Sequence, residues 1–263
     1  MKALKKVIIG TALVAATATS SAADLNIGGV TWDPDWINGF GNEMDFLAQS
    51  KFTQWYSTTS DVRGSLNSVS APVAIGSVLG AVDASATDQG ATGFFLSGGG
   101  HIDRINEPSR NFCQSCELTF AFGGIGIDLD GTFTLTTNSW LQVFVDEAIN
   151  YDGSFDSVAD AKTVTDGLVW LDATFTSAQL DQNDTLDNGL LTSIATINGG
   201  LAADRFDPNQ IKITGNATFA SLNSLYSTGA NGQVAGNTVS EPGTIAMFGI
   251  ALLGLASVYR RRA

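Results

Sequence analysis

The sequence predicts an all-β ectodomain, a sandwich or jelly roll, flanked by an N-terminal signal peptide and a C-terminal transmembrane helix. Three observations carry this reading. From residue 117 onward, apolar and polar residues alternate in short runs separated by Gly, Asn and Asp, the signature of half-buried strands and their turns. Residues 1–23 run from basic to apolar to small, as export signals do. Residues 244–259 carry no charge and end in a basic cluster.

The N-terminus places Lys2, Lys5 and Lys6 before the apolar stretch 7–16 and the small residues Ser21-Ala22-Ala23. Cleavage is expected after Ala23. At the other end, the apolar segment sits at the short edge of the roughly 17–25 residues that a spanning helix needs. Arg260, Arg261 and Arg262 follow it and would remain on the cytoplasmic side. A buried core helix would not end in three arginines at the chain terminus.

Val239-Ser240-Glu241-Pro242 precedes the apolar run, and the run itself contains Leu252-Leu253-Gly254-Leu255. Short motif, hydrophobic segment and Arg cluster, in that order, resemble the PEP-CTERM sorting signal of bacterial proteins processed by exosortase. Glu241-Pro242 matches the second half of the family's motif; Ser240 replaces its usual first proline. The resemblance implies export, a transient stay in the cytoplasmic membrane and tail processing by exosortase. It also implies a final place at the cell surface or in the extracellular matrix of a Gram-negative bacterium, with exopolysaccharide, biofilm and floc as the setting.

The chain carries a formal net charge of −13. Six of its basic residues lie in the two targeting ends, so the body is more acidic still. Such a surface stays soluble and repels polyanions. Nucleic acid is therefore excluded as a partner, because phosphate neutralisation needs clustered Lys and Arg.

Along the body, Leu25-Asn26-Ile27 alternates as a first strand, and Trp32-Asp33-Pro34-Asp35-Trp36 reads as a turn. Trp32, Trp36 and Trp55 are candidates for stacking on a sugar, if exposed. Residues 43–56 are ambiguous in period, with a strand favoured from Phe52. Residues 62–79 and 92–96 offer further short strands. Gly98-Gly99-Gly100 reads as flexible or unusually shaped backbone. The strong alternations are 118–122, 133–135, 141–145, 168–175 and 211–220. Residues 221–238 lose their apolar pattern and read as a flexible linker. The expected division is signal peptide 1–23, ectodomain 24–220, linker 221–238 and sorting tail 239–263.

Candidate chemistry is sparse. Cys113 and Cys116 are the only cysteines, and in an exported protein they are expected to form a small structural disulfide. A redox site would need a helix N-terminus and a βαβ context. His101, the sole histidine, reads as a surface-loop residue, and no serine elbow accompanies it. Asp181, Asn183, Thr185 and Asp187 place oxygen ligands at alternate positions, a pattern that can hold Ca²⁺. It departs from the EF-hand, since Thr192 stands where a Glu should. No catalytic residue is assigned and no cofactor beyond that possible Ca²⁺ is expected. The expected function is a non-enzymatic structural or adhesive one. The competing expectations are a polysaccharide hydrolase and a carbohydrate-binding protein delivered by the same signal.

Overall fold

The computed structural model describes residues 24–37, 45–83, 85–86, 90–106, 112–153, 155 and 157–239. The signal peptide expected at 1–23 lies outside these residues. So do Ser240, Glu241, Pro242, the apolar segment 244–259 and Arg260, Arg261 and Arg262. Among the described residues no helix is long and apolar enough to cross a membrane.

The elements are β1 (Leu25–Ile27), β2 (Val30–Trp32), β3 (Phe46–Ser57), α1 (Ile75–Ala81), β4 (Ala91–Ile105), β5 (Glu117–Asp128), β6 (Phe133–Thr134), β7 (Trp140–Asp146), α2 (Val158–Thr165), β8 (Leu168–Leu180), β9 (Asn188–Gly199), β10 (Phe206–Thr218) and β11 (Thr228–Thr238). The all-β expectation holds, but the sandwich or jelly roll does not. The long strands β3, β4, β5, β7, β8, β9, β10 and β11 form a closed eight-stranded barrel. Each strand is antiparallel to the next in chain order, and β11 returns to pair with β3 from Phe52↔Ala230 to Phe46↔Gly236. A meander whose last strand reaches its first has no unpaired edge, so no second sheet is needed to cover one.

The linker expectation is corrected by the same pairing. Residues 228–238 are a wall of the barrel, bonded to β3 on one side and β10 on the other. Residues 62–79 are likewise not strands. They make a 3-10 turn at Asn67–Ser70 and the helix α1.

The barrel interior works by pairing large side chains with missing ones. Phe52, Phe120, Phe122 and Phe175 point inward; glycines stand opposite the first three, and Ala195 stands opposite Phe175. A Cβ at Gly98 would enter the Phe122 ring and come within 2.8 Å of Thr53 O; one at Gly215 would lie 3.2 Å from Phe52. Gly98-Gly99-Gly100 is thus part of β4, next to a register shift against β5, and not a flexible loop. Gly98 makes room inside for Phe122, and Gly99 makes room outside for the Phe155 ring, 2.7 Å from where its Cβ would be. The apolar cavity among these rings measures about 60 Å³, and a smaller one beside Tyr56 about 20 Å³. Both are far below the roughly 300–1,000 Å³ of small-molecule pockets. The interior is a packed core.

Both barrel ends are plugged. At one, the β1–β2 hairpin packs on an aromatic cluster in which Trp32 meets Phe46 and Trp170, each at 5.7 Å, and Phe46 meets Phe206 at 5.2 Å. Trp170 Nε1 donates to Ile27 O at 2.9 Å. At the other end α1 buries Ile75 and Val78, and the fully buried Tyr56 hydroxyl donates to Leu186 O at 3.1 Å.

A second apolar layer covers the outer face of β3, β4, β5 and β7. Trp55, Ala121, Trp140 and Phe144 meet Leu66, Val69, Phe155 and the buried face of α2, Ala161 and Val164. Polar clamps fix this cover. Asp61 accepts from Ser68 N at 2.9 Å, Trp55 Nε1 donates to Ser68 Oγ at 2.8 Å, and Arg63 donates to Asp172 and to Thr174 Oγ1. Ser157 caps α2 by accepting from Asp160 N.

Two glycines separate packing from propensity. Gly98→Ala is expected to destabilise the mature protein by about 1–3 kcal/mol, because the core cannot expand around it. Gly80→Ala, in α1 with nothing within 4 Å of the added methyl, is expected to be neutral or stabilising by up to about 1 kcal/mol. Urea denaturation midpoints of the two variants check the opposite signs.

Candidate functional site

With the interior filled, two surfaces offer concave ground: a pocket of about 520 Å³ beside the β1–β2 hairpin, lined by Asn26, Thr31, Asp33 and Gln114, and the outer wall, which carries the longer depression. The cover layer occupies one side. The other side, formed by β9, β10, β11 and the start of β3, carries a trough of mixed polar and apolar lining in two sections of about 510 and 360 Å³, with the exposed Leu190 and Ile194 of β9 among its residues. Its floor is β11. The inward glycines Gly232 and Gly236 let this strand lie close on Phe52 and Phe206, while Asn231, Gln233, Ala235 and Asn237 face outward. Thr214, Asn216, Gln210 and Lys212 rise from β10 on one side; Gln49 and Lys51 rise from β3 on the other. At about 3.4 Å per residue, Asn231 to Asn237 spans about 20 Å. Amides and hydroxyls thus follow one another along this span, with Ala235 among them and Leu190 and Ile194 beside them.

A β-bulge sets the electrostatics of one edge. Gln49 pairs with Arg104 and Ser50 with Ile102, which leaves Asp103 unpaired on β4 and aimed outward. Its carboxylate lies 3.4 Å from Lys51 Nζ and 2.9 Å from His101 Nε2. His101 is therefore a strand residue opposite Lys51, not a loop residue, and its ring lies 5.5 Å from that of Tyr151. Glu117 stands beside this group and accepts from the amides of Asn150 and Tyr151. Burial pushes the Glu117 carboxyl above the usual range, against those two hydrogen bonds; Asp146 and Asp166 add to the rise. Burial also raises the Tyr151 hydroxyl, with Asp160, Asp152 and Glu117 reinforcing it. Tyr151 and Tyr56 both remain neutral at physiological pH.

The other sequence-derived candidates fall elsewhere. Cys113 and Cys116 are joined in a disulfide that closes the turn before β5. Cys113 bridges Val30 and Phe112 O accepts from Thr31 N, so this turn holds the β1–β2 hairpin. Asp181, Asn183, Thr185 and Asp187 lie on the β8–β9 turn. Asp181 Oδ1 accepts from Gln182 N, Thr185 Oγ1 donates to Asn188 O, and Asp184, which the sequence pattern passes over, accepts from Leu190 N. These are the bonds of a hairpin turn. Among the described residues no three His, Cys, Asp or Glu side chains converge as a metal site. Trp32 and Trp55 are buried at 3% and 0% exposure, so neither can stack on a sugar; Trp36 is half-buried.

Val239, the first residue of the sorting motif, donates from its amide to Arg205 O at 2.8 Å, at the foot of β11. In the family comparison, the PEP-CTERM protein-sorting motif matches residues 238–262. The chain thus carries this motif at its C-terminus, and the motif marks an exported protein sorted by exosortase. Neither a curated protein nor a solved structure matches the chain. The trough escaped sequence reading because Gly, Ala and Asn give β11 no apolar alternation.

The raised Glu117 value fixes a sign. The folded state holds this proton more tightly than the unfolded chain. Its contribution to stability is complete below the ordinary value of 4.5 and is lost as pH rises through the raised folded value. Glu117→Gln keeps an acceptor for the two amides and cannot ionise. Denaturation midpoints from about pH 4 to about pH 7 are expected to fall less steeply in the variant than in the wild type.

Proposed function

We propose that this protein is a non-enzymatic structural or adhesive component of the cell surface or extracellular matrix, handled at its tail by exosortase. In this reading, the trough along β11 contacts exopolysaccharide. The observation that carries it is the outward row of Asn231, Gln233 and Asn237, flanked by Thr214, Asn216 and Gln49, over a barrel with a filled interior. Hydroxyl-rich polymers are recognised by such convergent donors and acceptors. The length of the row suits a linear chain rather than a compact ligand. A strongly acidic body disfavours polyanions, so a neutral glycan suits it better than an acidic one.

The trough's carboxylates support a binding role over a hydrolytic one. Asp103 is held between Lys51 and His101, and Asp45 accepts from Thr238 N at 3.0 Å. Hydrolysis of a glycosidic bond asks for two carboxyl groups facing each other across the substrate.

Mature protein, bound to exopolysaccharide isolated from the producing cells, is expected to lose about tenfold in affinity on Asn231→Ala/Gln233→Ala, or about 1.4 kcal/mol. Unchanged binding, or no binding by the wild type, contradicts the glycan assignment. Intact mass and cell fraction, with and without exosortase, are expected to show loss of the tail and outward movement only when the enzyme is present. A tail retained in both cases contradicts the sorting assignment.

A further inference from the structure

The sorting motif begins where the barrel wall ends. β11 closes the barrel as far as Thr238, and the matched motif starts at residue 238. Three interactions hold the overlap. Thr238 pairs with Phe206 across β10, the Thr238 amide donates to Asp45 Oδ2 at 3.0 Å, and the Val239 amide donates to Arg205 O at 2.8 Å. Only Ser240 separates the last of these from Glu241-Pro242.

A processing enzyme reads a stretch of extended chain by its backbone and side chains together. Amides already bonded within a sheet cannot serve that purpose until they are released. We propose that the folded barrel restrains its own sorting: the foot of β11, residues 237–239, must peel from Asp45 and Arg205 before exosortase can engage the motif. This inference rests on the exosortase reading and adds to it two positioning residues outside the motif, Asp45 through its carboxylate and Arg205 through its carbonyl.

The wall is built to allow this. Between Phe206↔Thr238 and Ile211↔Gly236 the β10–β11 register shifts, so the ladder is interrupted above the foot. Above the interruption, Ile211↔Gly236 to Asn216↔Asn231 holds β11 to β10, and Gly236↔Phe46 to Ala230↔Phe52 holds it to β3. Peeling therefore releases the motif without opening the barrel. A precursor in which β11 has not yet docked presents the motif freely, so the rate of processing reports on the state of the wall.

The test is pulse-chase processing of the full-length precursor in cells that contain exosortase. Asp45→Ala removes the acceptor for the Thr238 amide and is expected to speed processing about threefold to tenfold. Asp45→Asn retains an acceptor and is expected to restore the wild-type rate. A spacer of about six Gly and Ser residues between Val239 and Ser240 is expected to speed processing at least as much as Asp45→Ala. The same spacer in the exposed β8–β9 turn, between Gln182 and Asn183, is expected to leave the rate unchanged. Wild-type rates for both Asp45→Ala and the Val239 spacer overturn the inference while leaving the exosortase reading intact. Absence of processing in every chain, the wild type included, removes the exosortase reading and this inference with it.

Discussion

The pairing of β3 with β11 is the constraint on which the rest of the structure depends. It joins the first long strand of the barrel to the last, across most of the described chain. Without it the remaining strands would form an open twisted sheet with two long edges, and such edges template aggregation. With it, every wall strand has two neighbours, and the inward-facing side chains converge on one axis. The same closure sets how the ends are sealed. The β1–β2 hairpin rests on the aromatic side chains at the starts of β3, β8 and β10, and the segment that leads into α1 is held at the far end of β3, where the Val73 amide donates to Tyr56 O.

The strands with their own alternation were legible in the sequence. Leu118, Phe120 and Phe122, or Leu141, Val143 and Val145, carry their apolar face visibly because they fill the interior themselves. β11 and the middle of β4 were not legible, for the complementary reason. Ala230, Gly232 and Gly236 face inward but contribute space, and the volume that fills it belongs to Phe52 and Phe206 on other strands. Likewise Gly98 is emptied for Phe122 and Gly99 for Phe155. A pattern read along one strand cannot show that its partner across the barrel holds the side chain. The residues between 62 and 79 misled in another way: Leu66, Val69, Ile75 and Val78 are buried by short helical turns laid on the barrel, where a short apolar run has the same appearance as a strand.

The sorting motif was legible because its information is sequential: a dipeptide, an apolar run and a basic cluster need no tertiary partner to be recognised. The candidate site was not, because it is assembled from β3, β4, β9, β10 and β11 and exists only once the barrel closes. Its location follows from packing. The cover layer takes one side of the wall, the core takes the inside, and a strand floored with glycine leaves a trough on what remains. One strand thereby closes the fold, floors the trough and leads into the motif. Closure of the fold and the start of the sorting motif meet in residues 228–239.

The central claim is that this segment is barrel wall and not linker. Native-state hydrogen exchange on the mature protein tests it most directly, residue by residue. The account predicts that amides of β11 between Ala230 and Gly236 that bond to β3 or β10 exchange as slowly as their partners, through the same cooperative opening. Exchange of these amides at the rate of unstructured chain, with β3 and β10 still protected, would contradict it.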